Sequence, residues 1–201
     1  MRCVDWRERY ERAAARYAGG ETREPDERQL VQLANAAWAA GLSLLMAGER
    51  DRAAEWLRLA AARYRESWVV GSDAWGRQIG AMKALLIADD DASEAARWAL
   101  DAKAAVAESP IGRYAAALAL LILDNDEWAA RHAAGLQREA SFPRDVADAL
   151  AAIASHDADV YAEAAARVRR SYELRDDFLE DVPVPDTALA LDALAARRGL
   201  A

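Results

Sequence analysis

Hydrophobic side chains recur at helical spacing through most of the chain. Between residues 27 and 47, apolar or small residues stand at positions 30, 33, 34, 37, 38, 41, 44 and 45. This spacing places them on one face of an α-helix. Short turns rich in glycine or acidic residues follow each such segment. We therefore predict helices over about residues 3–18, 27–47, 52–64, 73–87, 92–108, 110–123 and 158–175, one around Trp128, one between Ser141 and Ser155, and a capping helix over 186–198.

Small polar residues stand before several of these segments. Asp51 and Ser72 are predicted N-caps, because a short polar side chain can accept a hydrogen bond from a free N–H of the first helical turn. Ser109 is followed by Pro110, a residue favoured at the first helical position because its missing N–H is not needed there. Ser109 is therefore predicted to cap the next helix.

The helices and turns form a repeated pattern. Turns near residues 48, 89, 124 and 156 each follow an apolar run and precede a pair of alanines. The spacing between successive turns is 41, 35 and 32 residues. Periods of this size are typical of helical-hairpin repeats. We expect a single domain over residues 1–201, built from about nine or ten helices.

The best-defined unit resembles the tetratricopeptide repeat. Gly41, Gly48, Ala53, Leu57 and Ala60 stand at the relative spacings that this repeat reserves for small and apolar packing residues. The next two copies are less similar, with Lys83 and Leu118 assigned to the position of Gly41. The resemblance implies antiparallel hairpins stacked as a short right-handed solenoid, and a protein that binds other proteins or peptides.

Composition supports an all-α fold. Alanine supplies 52 of the 201 residues, whereas valine, isoleucine and threonine together supply 17. Alanine is the strongest helix former, and β-branched residues are the ones that a sheet prefers.

Charge and hydropathy exclude several classes of function. The formal net charge is −8, with 24 arginines and two lysines, and no basic block stands out for binding nucleic acid. The longest apolar run, residues 114–123, is ten residues long, about half of what a membrane span needs. The N-terminal residues are charged where a signal peptide is apolar. We expect a cytoplasmic protein that binds neither nucleic acid nor membrane; self-association is compatible with the sequence.

No motif with known chemistry is found. The single cysteine, Cys3, excludes an internal disulfide and a thiolate metal cluster. His132 and His156 lie 24 residues apart, without the spacing of a helical zinc site. Calcium-loop, phosphate-loop and nucleophile-elbow patterns are also missing. We predict no catalytic, cofactor-binding or metal-binding residues, while a site assembled only in space, with Cys3 or a histidine against a carboxylate, stays open.

Two segments are candidate partner sites. Trp68, Trp75 and Arg77 flank a glycine-containing turn, and tryptophan and arginine are enriched in binding hot spots. The alternative is that both indoles belong to the core. The second segment is acidic and lies before the last helix, with Asp176, Asp177, Glu180 and Asp181 as its candidate residues. It either connects into the capping helix or lines a groove.

Two further hypotheses concern acidic residues. The aspartates of the turns at 89, 124 and 156 could form a ridge along one edge of the stack that attracts a basic partner, or they could only cap helices. The C-terminal stretch also resembles the ends of all-α immunity proteins of bacterial polymorphic-toxin systems, which implies a toxin as partner. We predict a non-catalytic scaffold for a protein or peptide; toxin neutralisation and an enzyme are the alternatives.

Overall fold

The computed structural model describes residues 4–68 and 74–200, and these form ten α-helices with two short 3₁₀ turns and no β-strand. The helices are α1 (Trp6–Gly20), α2 (Glu27–Met46), α3 (Arg50–Glu66), α4 (Gly76–Ile87), α5 (Ser93–Asp101), α6 (Pro110–Ile122), α7 (Asp126–Leu136), α8 (Arg144–Ala154), α9 (Ala158–Glu173) and α10 (Asp186–Arg197). The 3₁₀ turns are Ala104–Val106 and Leu179–Asp181. The all-α prediction is confirmed.

Local sequence explains where several helices begin. Asp26 and Gln29 form a reciprocal capping box at the start of α2, and Ser109 caps α6 with Pro110 in the first turn, as predicted. The prediction for Asp51 is wrong: α3 begins at Arg50, two residues earlier than predicted, so Asp51 lies in its first turn, where its charge suits the helix dipole. Ser72 lies outside the described residues.

The helix predicted to reach residue 108 ends at Asp101. Lys103 adopts a left-handed conformation with φ of 73°, which turns the chain so that Ala104 is fully buried. The loop then passes so close to α6 that a Cβ on Gly112 would lie 2.4 Å from the Cβ of Ala107. Alanine-rich sequence favours a longer helix, but tertiary packing overrides this preference.

The four hairpin turns share one geometry. Gly48, Asp89, Asp124 and His156 each have a positive φ, between 55° and 83°. In each turn the next residue donates its N–H to a carbonyl five positions earlier, as Glu49 does to Leu44 at 2.9 Å. These are Schellman caps, in which a left-handed residue ends the first helix and reverses the chain. The turns lie where the repeated pattern predicts them.

The packing of the first hairpin follows from small residues. A Cβ on Gly41 would lie 2.8 Å from the side chain of Leu57 and 3.1 Å from the carbonyl oxygen of Ala53. Gly41 therefore lets α2 and α3 approach closely, as the repeat resemblance implies. Counted from the left-handed residue of each turn, the positions equivalent to Gly41 are Met82 and Ala117. The assignment to Lys83 and Leu118 was one residue too late.

The helices form a stack with an inner row. Each helix packs against the next in chain order, and α4, α6 and α8 also contact one another in series. The last helix, α10, leaves this order and returns to α4 and α8 as well as contacting α9. The C-terminal helix thus lies on the row of α4, α6 and α8.

Two glycine substitutions test the turn geometry. A Cβ would meet no atom within 4 Å at either Gly48 or Gly135, but only Gly48 has a positive φ. We expect Gly48→Ala to lower the free energy of unfolding by about 1 kcal/mol, because L-residues are strained in the left-handed region. The matched control, Gly135→Ala inside α7, should raise it by about 0.5 kcal/mol by restricting the unfolded chain. Chemical denaturation measures both, and equal effects would contradict this account of the turns.

Candidate partner-binding groove

The inner row of α4, α6 and α8 accepts a helix. The helix α10 contacts α4, α8 and α9, and five of its apolar residues are almost completely buried: Ala188, Ala190, Leu191, Leu194 and Ala195. Leucine and alanine at this spacing give one apolar stripe, which packs on the row as an amphipathic helix packs in a hydrophobic groove. We call this surface of α4, α6 and α8 the groove.

A cation holds the N-terminal end of α10. Lys83 of α4 forms an ion pair with Asp186 and donates a hydrogen bond to the Thr187 hydroxyl at 3.0 Å. The Lys83 side chain is 10% exposed, and its ammonium lies 5.7 Å from the centre of the Trp38 ring. A nearly buried lysine needs such a partner, because an isolated charge is costly to remove from water.

Asp186 lies in a cluster of buried phenols. Burial raises the pKa of Tyr64, Tyr114 and Tyr172, and the negative charge of Asp186 raises all three further. These tyrosines therefore stay neutral, and Lys83 is the cation that balances Asp186. A pocket of about 210 Å³ adjoins the cluster and is lined in part by Trp38, Lys83, Tyr172, Asp177 and Asp186.

Two arginines hold the other end of α10. Arg198 donates hydrogen bonds to the Leu121 carbonyl and to Asp126, and to Asp124 at 3.0 Å, which ties α10 to the turn between α6 and α7. Arg197 donates to the Asp90 carbonyl at 2.8 Å. Positive charge at the C-terminal end of a helix is also favoured by the helix dipole. The groove thus binds a helix with an acidic start and a basic end.

The segment that leads into α10 is anchored in the core at a few positions. This strap, residues 174–185, places Val182 and Val184 in the core and Phe178 5.1 Å from the ring of Tyr172. Two consecutive acidic residues, Glu180 and Asp181, adopt left-handed φ angles of 57°. The strap therefore combines a few buried anchors with a strained turn.

Arginines of α1 contact the strap. Arg16 pairs with Glu180 at 2.9 Å, and Arg9 donates to the Asp181 carbonyl. Together with Arg12 they line a pocket of about 370 Å³ whose other wall includes Asp176, Glu180 and Asp181. Sequence analysis missed this pairing. The only available signal was the spacing of three arginines on one side of the first helix, and spacing does not reveal which distant segment lies opposite.

The structure places the tryptophans against the core. Trp75 is buried, and Trp68 is half-buried with its ring 6.5 Å from Trp75 and edge-on to Trp98 at 5.7 Å. Arg77 donates to the Ser67 carbonyl at 2.6 Å and pairs with Glu27. All three residues thus hold α2, α3, α4 and α5 together, and a partner-binding role for them stays a prediction.

The acidic turns are engaged within the chain. Asp157 accepts the N–H of Val160 at 3.0 Å as an N-cap, and Asp91 accepts that of Ser93 at 2.8 Å. Other carboxylates pair with cations, as Asp90 does with Arg58 at 2.6 Å. The ridge is therefore contacted by arginines of the same chain, including the two at the end of α10.

Side chains with acid–base chemistry do not converge in the described residues. His156 lies 2.8 Å from Asp126, but this pair is in an exposed turn. Burial lowers the pKa of His132, and the nearby Arg113 lowers it further. No group of three potential metal ligands occurs among residues 4–68 and 74–200. Cys3 lies outside the described part of the chain.

Comparison with protein families, with curated proteins and with solved structures gives no match. Within the described residues, none of the helices has both the length and the apolar character needed to cross a bilayer.

Removal of the buried cation tests the N-terminal end of the groove. We expect Lys83→Met to lower the free energy of unfolding by about 2 kcal/mol, because Asp186 would lose its balancing charge. The double variant Lys83→Met/Asp186→Asn should recover at least half of this loss. Replacement of the other lysine, Lys103→Ala, is the control and should change stability by less than about 0.5 kcal/mol, since Lys103 is exposed. Urea denaturation gives all three values; a double variant no more stable than Lys83→Met would contradict the pairing.

The pH dependence of stability tests the contacts at the C-terminal end of α10. Burial by itself raises the pKa of Asp126, but hydrogen bonds and charge from Arg198 and His156 outweigh it, so the pKa lies below its ordinary value of 3.8. A lowered pKa in the folded state stabilises the protein above pH 3.8, and this stabilisation is lost as the pH falls further. We expect Asp126→Asn to cost about 1 kcal/mol at pH 7, or 2–4 °C in Tm. The gap in Tm between wild type and variant should close between pH 4 and pH 2.5, and a constant gap would contradict the assignment.

Proposed function

We propose that this chain is a non-catalytic, tetratricopeptide-like scaffold that binds a protein or peptide through the groove. The observation that carries the proposal is that the groove already holds a helix, with an apolar floor and charged residues of opposite sign at its two ends. Recognition of an amphipathic helix by such a groove is a common mode of peptide binding. A cytoplasmic setting, expected from the sequence, is part of the proposal.

The geometry supplies both affinity and selectivity. The apolar floor supplies affinity, because burial of leucine side chains releases water from both surfaces. Lys83 at one end and Asp124 and Asp126 at the other supply orientation, because a helix bound in the reverse direction would meet like charges. The groove therefore favours one direction and one charge pattern of helix.

The alternatives from sequence have less support. Toxin neutralisation needs free acidic surface for a basic partner, whereas many of the carboxylates considered for that role pair with arginines of this chain. An enzyme needs a nucleophile, a base and an orienting group held together. The exposed His156–Asp126 pair is the nearest arrangement to that in the described residues.

Affinity capture with a groove variant tests the proposal. The wild-type chain and a groove variant, Asp124→Lys/Asp126→Lys/Arg198→Glu, in which α10 keeps a pair of opposite charge at this end, would each be used to capture proteins from the cells that express the chain, followed by quantitative mass spectrometry. We expect a partner enriched at least tenfold by the wild type over the variant, because the variant repels the basic end of a bound helix.

The control for this capture is Glu55→Lys, which makes the same net change of charge on an exposed residue of α3. It should retain the partner. Equal recovery by wild type and groove variant, or substrate turnover in a general hydrolase screen, would overturn the proposal.

A further inference from the structure

The groove is occupied by α10 of the same chain, so the side chains of α10 indicate which side chains the groove favours in a ligand. Asp186 meets Lys83, Leu191 and Leu194 pack into the groove, and Arg198 meets Asp124 and Asp126. Relative to the acidic residue, the leucines stand five and eight positions later and the arginine twelve positions later. This pattern is specific enough to define a class of ligand.

We infer that the partner of the groove is an amphipathic α-helix with this pattern, an acidic residue followed by two large apolar residues and a terminal basic residue, and that it binds by displacing α10. The inference rests on the proposed function and names its partner chemistry. In this mechanism α10 is an internal occupant that keeps the groove closed to weaker ligands.

The strap is suited to release. Its contacts with α1 include the Arg16–Glu180 pair on the surface, and such exposed pairs contribute little to stability. The left-handed turn at Glu180 and Asp181 carries backbone strain. Two of its apolar residues, Leu174 and Leu179, are mostly exposed and add little packing. Apart from Val182, Val184 and the contact of Phe178 with Tyr172, the strap is thus held mainly by polar contacts at the surface.

Replacement of α10 by a partner helix is more favourable than release of α10 alone. Loss of α10 without replacement would expose Leu191 and Leu194, which is unfavourable because both side chains are almost completely buried. A partner helix with the same pattern restores this burial and both charged contacts. Because α10 is tethered, it competes at an effective concentration on the order of 1 mM, so only partners that bind the free groove well below this value displace it.

A labelled peptide of residues 183–200 provides the test. Its binding would be followed by fluorescence anisotropy with the full chain and with a full chain loosened by Leu191→Ala/Arg198→Ala, which weakens α10 and leaves the groove unchanged. We expect the loosened chain to bind the peptide at least tenfold more tightly than the wild type, because its own α10 competes less well. Circular dichroism would verify that the loosened chain is folded.

A charge exchange is the matched control. A peptide with Arg198→Glu should not bind the loosened chain, and it should bind when that chain also carries Asp124→Lys/Asp126→Lys. Failure of the unmodified peptide to bind the folded loosened chain would overturn the inference. So would dimers of that chain that the peptide does not dissociate, because the occupant would then be a second copy.

Hydrogen exchange of the wild-type chain gives an independent readout if the loosened chain does not fold. Amides of α10 and the strap should exchange together, at least tenfold faster than those of α4 and α6, and 1 M NaCl should increase their rate because it screens the charged contacts. Exchange of α10 only with global unfolding would overturn the inference. A partner captured through the groove would then still support the scaffold, whereas loss of capture as well would remove both.

Discussion

Close approach of helices across very small side chains is the constraint on which this structure depends. At the crossing of α2 and α3, Gly41 leaves no room for even a Cβ beside Leu57. The same holds at Gly80, where a Cβ would lie 2.7 Å from the ring of Tyr64. Alanine fills most other crossings, and many of these alanines are completely buried. The stacked hairpins form a continuous inner row of α4, α6 and α8, and the surface of that row is the groove.

A core made largely of methyl groups has limited apolar area, so long polar side chains tie distant segments together. Arginine is suited to this because its planar guanidinium can bond several oxygens at once. Arg198 does so at the turn between α6 and α7, and Arg77 bridges the end of α3 and the start of α2. Arg77 and Arg198 therefore have structural roles, and their partners are carboxylates and carbonyls of the same chain.

These arginine contacts change the interpretation of the acidic residues. In isolation, the strap and the turns are acidic surface that a basic partner could contact. In the folded chain, Glu180 faces Arg16, and Asp124 and Asp126 face Arg198. The charged residues at both ends of α10 thus pair with oppositely charged residues of the same chain. A binding function then depends on exchange of one helix for another, which makes partner choice a competition with the internal segment.

The sequence by itself determined most of the helices and the hairpin turns, because apolar spacing, capping residues such as Ser109 and the repeated turn positions act over a few neighbouring residues. It did not determine the end of α5 at Asp101, which tertiary packing imposes. It also determined that Gly41 packs closely. It did not reveal that α10 returns to α4, that Lys83 balances Asp186, or that α1 faces the strap, since these contacts join residues separated by about 100 positions or more. Helix periodicity specifies which face of a helix is buried, but it does not specify which other element covers that face. Only the tertiary structure decided that the groove, its charged ends and its occupant belong together, because complementarity of shape and charge exists only after the hairpins have stacked.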